Sequence, residues 1–95
     1  MKIAIVFTMK GCPFCTMIKE EMDKNNIIFI ERDIEKYHEE YEEFSKETQN
    51  DFVPALILMT VDDEDEATDV RLMAPDRDFN DIFEAVELTK QYISE

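Results

Sequence analysis

Runs of apolar residues alternate along this chain with stretches in which apolar residues recur every three or four positions. The run at residues 3–7 is continuous and β-prone, which predicts a strand buried on both faces. Further apolar runs predict a second short buried strand at residues 27–30 and a third at residues 52–59. Partial alternation over residues 67–73 predicts a fourth strand at an edge of the sheet.

Helical spacing of apolar residues predicts two helices in the first half of the chain. The first helix should end near Asn25 and Asn26, which tolerate the left-handed conformation of a helix stop. Asp33 is the predicted N-cap of the second helix. The apolar positions at helical spacing in the first helix are Phe14, Ile18 and Met22. Those in the second helix are Tyr37, Tyr41 and Phe44.

The last third of the chain predicts a hairpin turn and a final helix. Residues 62–66 are all acidic and predict a solvated turn between the third and fourth strands. Asp76 or Asp78 is expected to cap the final helix. Its predicted buried stripe consists of Phe79, Ile82, Phe83, Val86 and Ile93. A second, smaller apolar strip consists of Ala85, Leu88 and Tyr92.

The predicted elements follow the order β-α-β-α-β-β-α. The right-handed crossover rule makes the first two strands a parallel β-α-β unit, and the last two strands form an antiparallel hairpin. One mixed four-stranded sheet with helices on both faces buries every apolar stripe. The sequence therefore predicts an α/β fold in which residues 1–95 form a single domain.

Both cysteines of the chain lie where the first predicted strand meets the first predicted helix. Cys12 should stand at the helix N-terminus, where unpaired backbone N–H groups and the helix dipole favour a thiolate. Pro13 suits the first helical turn, where its missing donor costs nothing. Zinc usually needs four ligands, and His38 alone cannot complete a Cys-x-x-Cys half-site. A redox-active dithiol is therefore favoured over a metal site or a permanent structural disulfide, which would close only a very short loop.

Composition and charge restrict the cellular compartment and the kinds of partner expected for this dithiol. Hydrophobic residues make up 44% of the chain, no apolar run approaches membrane-spanning length, and no secretory segment is predicted before the first strand. A formal net charge of −14 repels nucleic acid and anionic membranes. The acidity serves solubility, reflects a salty host environment, or favours basic partner surfaces. Two cysteines committed to one motif fit a reducing compartment, so we expect a cytoplasmic protein.

The chain resembles the glutaredoxins of the thioredoxin-fold superfamily almost from end to end. The resemblance rests on Cys12-Pro13-Phe14-Cys15, Lys19 and Val53-Pro54. It implies a thioredoxin-like fold in which Cys12 is the exposed nucleophile and Cys15 the shielded resolving thiol. It also implies that Pro54 is a cis-proline facing the site and that the Val53 backbone pairs with the substrate like an added strand.

The resemblance also implies a glutathione site, and this chain differs from the usual pattern there. Where glutaredoxins usually carry a basic residue three positions before the first cysteine, this chain has Met9, with Lys10 adjacent. Lys10, Pro13 and Phe14 are expected to support the thiolate. The residues expected to receive the substrate or glutathione are Asp51, Val53, Pro54, Ala74, Pro75 and Asp76. Ala74 and its neighbours stand where glutaredoxins usually have Gly-Gly, and Asp51 would repel the glycine carboxylate of glutathione.

The implied function is that of a small thiol–disulfide oxidoreductase, which reduces protein disulfides or glutathione mixed disulfides. We expect glutathione as co-substrate, no bound cofactor or metal, and a monomer whose partners are disulfide-containing proteins, with ribonucleotide reductase as one candidate. Two alternatives stay open, one for the reductant and one for the chemical role of the chain. A thioredoxin-reductase-type flavoprotein could be the reductant, or the chain could carry an iron–sulfur cluster bridged between two chains by Cys12 and glutathione, which Pro13 is thought to disfavour. A third is an acidic binding module with a vestigial site.

Overall fold

A computed structural model describes residues 1–95 and contains four strands and three helices. The strands are β1 (Lys2–Thr8), β2 (Phe29–Asp33), β3 (Ala55–Val61) and β4 (Ala67–Met73). The helices are α1 (Pro13–Lys24), α2 (His38–Thr48) and α3 (Ile82–Ser94). The order is the one that the apolar pattern predicts. None of the three helices has the length and hydropathy of a membrane span.

The four strands form one mixed sheet in the order β2-β1-β3-β4. Strands β1 and β2 are parallel, whereas β1 pairs antiparallel with β3 and β3 with β4. Ile5 in the middle of β1 lies opposite Ile30 on one side and Ile57 on the other. The predicted four-stranded mixed sheet, with β4 as an edge strand, is confirmed. The acidic segment at residues 62–66 joins β3 to β4, as predicted.

Side chains of β1 alternate between the two faces of the sheet and anchor a core on each. Val6 packs with α1 and α3, through residues such as Ile18 and Val86. The next residue, Phe7, packs on the other face against Tyr41 and α2. Helices therefore cover both faces, as predicted, and β1 leads into the loop that carries the Cys-x-x-Cys segment.

Strand β2 begins two residues later than the apolar run predicts. The run starts at Ile27, but Ile27 packs beneath α1 and Ile28 is 90% exposed. Asn26, which follows α1, has a φ of 57° in the left-handed region and turns the chain out of the helix. The chain then needs Ile27 and Ile28 to reach the edge of the sheet. As an edge strand, β2 also leaves Ile30 exposed, so the prediction of a fully buried strand is wrong.

Helix α2 begins at His38, so the prediction that Asp33 caps it is wrong. The Asp33 carboxylate instead accepts a hydrogen bond from the Glu35 N–H at 2.8 Å, and the Asp33 carbonyl accepts from two further N–H groups in a separate turn. Tyr37 precedes the helix and lies under the Arg32 guanidinium at 4.4 Å, so it is half-exposed rather than buried. Tyr41 and Phe44 are buried as predicted.

Helix α3 begins at Ile82, which places its capping residue later than predicted. The Asp81 carboxylate accepts a hydrogen bond from the Glu84 N–H at 2.8 Å. Asp78 belongs to the preceding turn, where its carboxylate accepts from the Ala74 N–H at 2.8 Å. Asp76 has a left-handed φ of 65° and also lies in that turn. Neither Asp76 nor Asp78 is the helix cap.

The later start changes which face of α3 is buried. The buried residues of α3 are Ile82, Ala85, Val86, Thr89 and Tyr92. Phe83 and Ile93, which were predicted to face the core, are exposed. The buried Thr89 hydroxyl donates to the Ala85 carbonyl at 2.8 Å, which satisfies this polar group within the core.

Candidate active site

The loop between β1 and α1 presents Cys12 at the start of the helix. Gly11 has φ +80°, a conformation that is costly for residues with a side chain, and it is the only glycine in the chain. The turn is closed by the Cys12 N–H, which donates to the Met9 carbonyl at 3.2 Å. Cys12 is the N-cap of α1 and Pro13 occupies the first turn, as predicted.

Cys12 and Cys15 are joined by a disulfide, with 5.2 Å between their Cα atoms. Their surroundings differ, because Cys15 is 2% exposed and Cys12 is partly exposed. An attacking or entering thiol can therefore reach Cys12 far more easily than Cys15. This asymmetry matches the separation into nucleophile and resolving thiol that the glutaredoxin resemblance implies.

The Cys12 sulfur accepts a hydrogen bond from the Cys15 N–H at 3.2 Å. This is the position at which an N-cap side chain satisfies one of the unpaired N–H groups of a helix. In the reduced protein the same N–H and the positive end of the α1 dipole favour negative charge on this sulfur. The geometry is that of an activated thiol at a helix N-terminus.

The loop before β3 contains the cis peptide bond Val53–Pro54. Pro54 is buried, whereas neither the N–H nor the carbonyl of Val53 has a hydrogen-bond partner within the chain. Unpaired backbone groups of this kind can pair with an extended segment, as an added strand does.

Two side chains, those of Tyr41 and Asn50, hold this loop in place through hydrogen bonds. The Tyr41 hydroxyl donates to the Phe52 carbonyl at 3.3 Å. The Asn50 side chain accepts from the Phe52 N–H at 2.9 Å and donates to the Pro75 carbonyl at 2.6 Å. Burial, with a smaller contribution from the Asp51 charge, raises the pKa of Tyr41, so its hydroxyl stays protonated as a donor.

A groove of about 350 Å³ lies between the start of α1, the cis-proline loop and the start of α3. Four phenylalanines line it. Phe79 is buried, whereas Phe14, Phe52 and Phe83 are 60%, 61% and 60% exposed. Asp76 and Asp81 also line it, and no Lys or Arg does. The groove is thus an apolar surface with acidic groups on it.

The structure brings together only some of the residues predicted to receive a substrate. Those that share the groove are Val53, Pro54, Pro75 and Asp76. Phe14, which is predicted to support the thiolate, also lines this groove. Asp51 is exposed and lines a different hollow, together with Lys46 and Asn50. Ala74 is fully buried against the core that contains Phe7. Lys10 is exposed and lies outside the groove.

The sequence pattern does not indicate several residues of the site. The apolar pattern predicts Phe83 in the core because it starts α3 too early. Asp81, followed three residues later by Glu84, is the capping signal that marks the true start. Phe52 was included in the apolar run of β3, yet it precedes the strand and is exposed. Asn50, which holds the cis-proline loop, carried no sequence signal beyond its place in a polar connection.

A polar cluster lies behind the Cys12 loop, at the end of β1. The Glu31 carboxylate accepts from the Lys19 ammonium at 3.0 Å and from the buried Thr8 hydroxyl at 2.8 Å. The hydrogen bonds from Lys19 and then from Thr8 lower the pKa of Glu31. Lys19, one of the residues on which the resemblance rests, is therefore committed to an ion pair. No group of three or more His, Cys, Asp or Glu side chains is placed to hold a metal ion.

Comparison with solved structures shows the fold class defined by this sheet and site. The thioredoxin-like protein BC3987 superposes with a TM-score of 0.57 at 20% identity, covering 94% of this chain and 97% of that one. Glutaredoxin 1 from Francisella tularensis, solved with cacodylate, gives 0.52 at 20% identity over 100% of both chains. Thioredoxin pre-protein from Schistosoma mansoni gives 0.52 at 19% identity, over 96% of this chain and 78% of that one. The fold is thioredoxin-like.

The sequence comparison then identifies the family. Residues 4–64, more than half of the chain, match the family described as Glutaredoxin. No individually curated protein is significantly similar to the chain. The chain belongs to the glutaredoxin family, and its Cys12–Cys15 pair is that of a thiol–disulfide oxidoreductase.

Proposed function

We propose that this protein reduces protein disulfides or glutathione mixed disulfides through Cys12 and Cys15. The observation that carries the proposal is the asymmetry of the pair. Cys12 is accessible and its sulfur caps α1, whereas Cys15 is buried one turn further along the same helix. An arrangement of this kind lets one thiol attack a substrate while the other stays shielded from it.

In the reduced protein the Cys12 thiolate attacks one sulfur of the substrate disulfide. A bond forms between Cys12 and that sulfur, and the other substrate sulfur leaves as a thiolate that takes a proton from solvent. Cys15 then loses its proton and attacks the Cys12 sulfur. The second substrate thiolate leaves, the Cys12–Cys15 disulfide forms, and two electrons have passed from the dithiol to the substrate.

The cis-proline loop is proposed to align the substrate for this attack. The unpaired N–H and carbonyl of Val53 would pair with the substrate backbone, which places its disulfide beside Cys12. Pairing through the backbone is independent of substrate sequence. Selectivity must then come from the side chains that line the groove.

The reductant that regenerates the dithiol is proposed to be a thiol. Two glutathione molecules would become one glutathione disulfide, or a thioredoxin-reductase-type flavoprotein would supply a dithiol. Ribonucleotide reductase is one candidate substrate for either route, and we expect the protein to act in the cytoplasm as a monomer. The groove without a basic residue favours the flavoprotein route, because glutathione carries two carboxylates.

Substitution of each cysteine by serine tests the proposed roles. Cys12→Ser should abolish reduction of every disulfide. Cys15→Ser should retain activity on glutathione mixed disulfides, which need one thiol, and lose activity on protein disulfides. Initial rates with a glutathionylated peptide and with a disulfide-bonded protein distinguish the two variants. Equal losses for both variants on both substrates would contradict the assignment.

The reductant is tested separately on the oxidised protein. Reduction of the Cys12–Cys15 bond is followed with glutathione in one reaction and with NADPH and thioredoxin reductase in another. We expect the flavoprotein reaction to be faster. Faster reduction by glutathione would identify glutathione as the reductant, and no reduction by either would exclude both.

A further inference from the structure

We propose that the groove beside Cys12 selects, as its disulfide substrate, a positively charged polypeptide segment that carries an apolar side chain next to its cysteine. The inference rests on the proposed function and names its substrate class. It is carried by three features of the groove, which are its exposed aromatic rim, its unneutralised carboxylates and the free backbone groups of Val53.

The aromatic rim comes from three separate parts of the fold. Phe14 lies on α1, Phe52 precedes the cis-proline and Phe83 lies on α3, and each is about 60% exposed. Aromatic side chains are enriched in the centres of protein interfaces, and contiguous exposed apolar surface marks binding sites. Three exposed phenylalanines around one groove therefore fit an apolar side chain of a partner.

The charge on the groove has one sign. Asp76 makes no side-chain hydrogen bond or ion pair, and the Asp81 carboxylate accepts only from the Glu84 N–H. No Lys or Arg lines the groove, and the chain as a whole carries a net charge of −14. Lysine or arginine in the partner would be attracted both at the site and at long range, whereas carboxylates would be repelled.

The free N–H and carbonyl of Val53 favour a polypeptide as the occupant. An extended segment can pair with both groups while its alternate side chains point toward the groove. Cys12 itself does not line the groove, but Phe14, two residues further along the chain, does. We therefore expect a segment bound in this way to present its cysteine to Cys12 and its apolar and basic side chains to the phenylalanines and the two aspartates.

Two matched sets of synthetic disulfide-linked peptides test the proposal. Both sets carry leucine beside the cysteine, and they differ only in having flanking lysines or flanking glutamates. The parent protein should reduce the lysine peptides with a kcat/KM at least ~10-fold higher at low salt, within the range of electrostatic steering. This ratio should fall toward about 1 near 1 M NaCl, where the screening length is about 3 Å.

Charge variants locate the selectivity in the groove. Asp76→Asn combined with Asp81→Asn should lower the ratio several-fold, and asparagine can still cap α3. The matched control is Asp63→Asn combined with Glu64→Gln, which removes the same charge at the tip of the β3–β4 hairpin. The control should keep most of the selectivity. Thermal unfolding of each variant establishes that it is folded.

Apolar variants test the aromatic rim. Phe83→Ala should lower kcat/KM on the lysine peptides several-fold, mainly through KM. Ile28→Ala removes an even more exposed apolar side chain outside the groove and should leave kcat/KM on these peptides unchanged. Rescue of activity by Phe83→Leu, which restores apolar volume, would further support an apolar contact.

The outcomes separate this inference from the proposed function. Equal rates on both peptide sets, or faster reduction of the glutamate peptides, would overturn the inference while disulfide reductase activity stands. Selectivity that survives the Asp76 and Asp81 changes and is lost with the hairpin control would also overturn it. If the parent protein reduces a glutathionylated peptide but none of these peptide disulfides, the inference is overturned and the proposed function stands. If it reduces neither kind of disulfide, the proposed function is refuted, and the inference with it.

Discussion

Cys12 and Cys15 lie on the same helix, yet they have opposite surroundings. Cys12 is partly exposed and its sulfur accepts from a backbone N–H, whereas Cys15 is 2% exposed. The difference arises because successive residues of a helix point in different directions, so only Cys15 faces the core. A chemically symmetric pair of thiols thereby acquires two different surroundings, as the proposed roles require.

This difference predicts the order of alkylation in the reduced protein. Brief iodoacetamide treatment should label Cys12 first, because its sulfur is accessible and lies at the N-terminus of α1 whereas Cys15 is buried. Mass mapping after a timed quench measures the order of labelling. Cys12→Ser is the control and should leave only slow labelling of Cys15. First labelling at Cys15 in the parent protein would show the role assignment to be wrong.

The ion pair behind the site predicts a small pH-dependent change in stability. Because its folded-state pKa is lowered, Glu31 contributes stability that is present above its ordinary pKa of 4.5 and is lost as the pH falls through the folded value. Glu31→Gln should lower the free energy of unfolding at pH 7 by about 0.2–1 kcal/mol, since the pair is substantially exposed. Urea unfolding at several pH values measures this.

The difference between parent and Glu31→Gln should shrink as the pH falls below 4.5. Glu20→Gln is the matched control, because Glu20 is exposed on α1 and makes no ion pair. If the difference in free energy of unfolding between parent and Glu31→Gln is unchanged in acid, the contacts with Lys19 and Thr8 do not depend on the negative charge of Glu31.

The elements of the fold position the site through their ends. The C-terminal end of β1 leads into Cys12, the N-terminus of α1 receives its sulfur, and the loop before β3 brings Val53 and Pro54 alongside. The start of α3 adds Phe83 and Asp81 to the same groove. Each contribution depends on where an element begins or ends, so a shift of one or two residues there changes the site.

Asn50 is predicted to couple the cis-proline loop to the turn before α3. Asn50→Ala removes its bonds to Phe52 and Pro75, and we expect the free energy of unfolding to fall by about 1–3 kcal/mol. The rate of peptide disulfide reduction should also fall, while the alkylation rate of Cys12 should stay unchanged because Cys12 is held by another element.

The control for this prediction is Gln91→Ala, an exposed position on α3 without hydrogen bonds from its side chain. It should change stability by no more than about 0.5 kcal/mol. If Asn50→Ala slows Cys12 alkylation as much as it slows peptide reduction, its effect is on the whole site rather than on the loop.

At the scale of the whole molecule, net charge is the dominant feature. The molecule measures 36 × 30 × 23 Å and has 24 acidic against 10 basic residues. At about 0.01 M salt the screening length is roughly 30 Å, so charges across the entire molecule repel one another. At about 0.15 M the screening length is roughly 8 Å and only neighbours interact.

Added salt should therefore stabilise the folded protein. We expect the unfolding temperature to rise by roughly 4–8 °C between these two salt concentrations, which corresponds to about 1 kcal/mol for a domain of this size. Calorimetry in NaCl and in KCl measures the shift, and equal shifts in the two salts indicate screening rather than ion binding. A fall in unfolding temperature with salt would show that attractive ion pairs outweigh the net repulsion.

The amino-acid sequence by itself determined the order of elements, the mixed sheet and the Cys12–Cys15 pair. These features depend on local patterns. A continuous apolar run, a Cys-Pro-x-Cys segment and apolar residues at helical spacing each act over a few neighbouring positions. The strand at residues 3–7 and the helix after Cys12 were predicted for this reason, and both are present.

Only the tertiary structure decided which apolar side chains stay exposed and form the groove. The exposure of Ile28, Phe52 and Phe83 depends on which elements pack nearby and on where α3 begins. The residues that line the groove come from distant parts of the chain, so no local pattern contains their proximity. Asp51 and Ala74 lie close in sequence to groove residues yet do not line it, because a turn or a buried face directs each of them elsewhere.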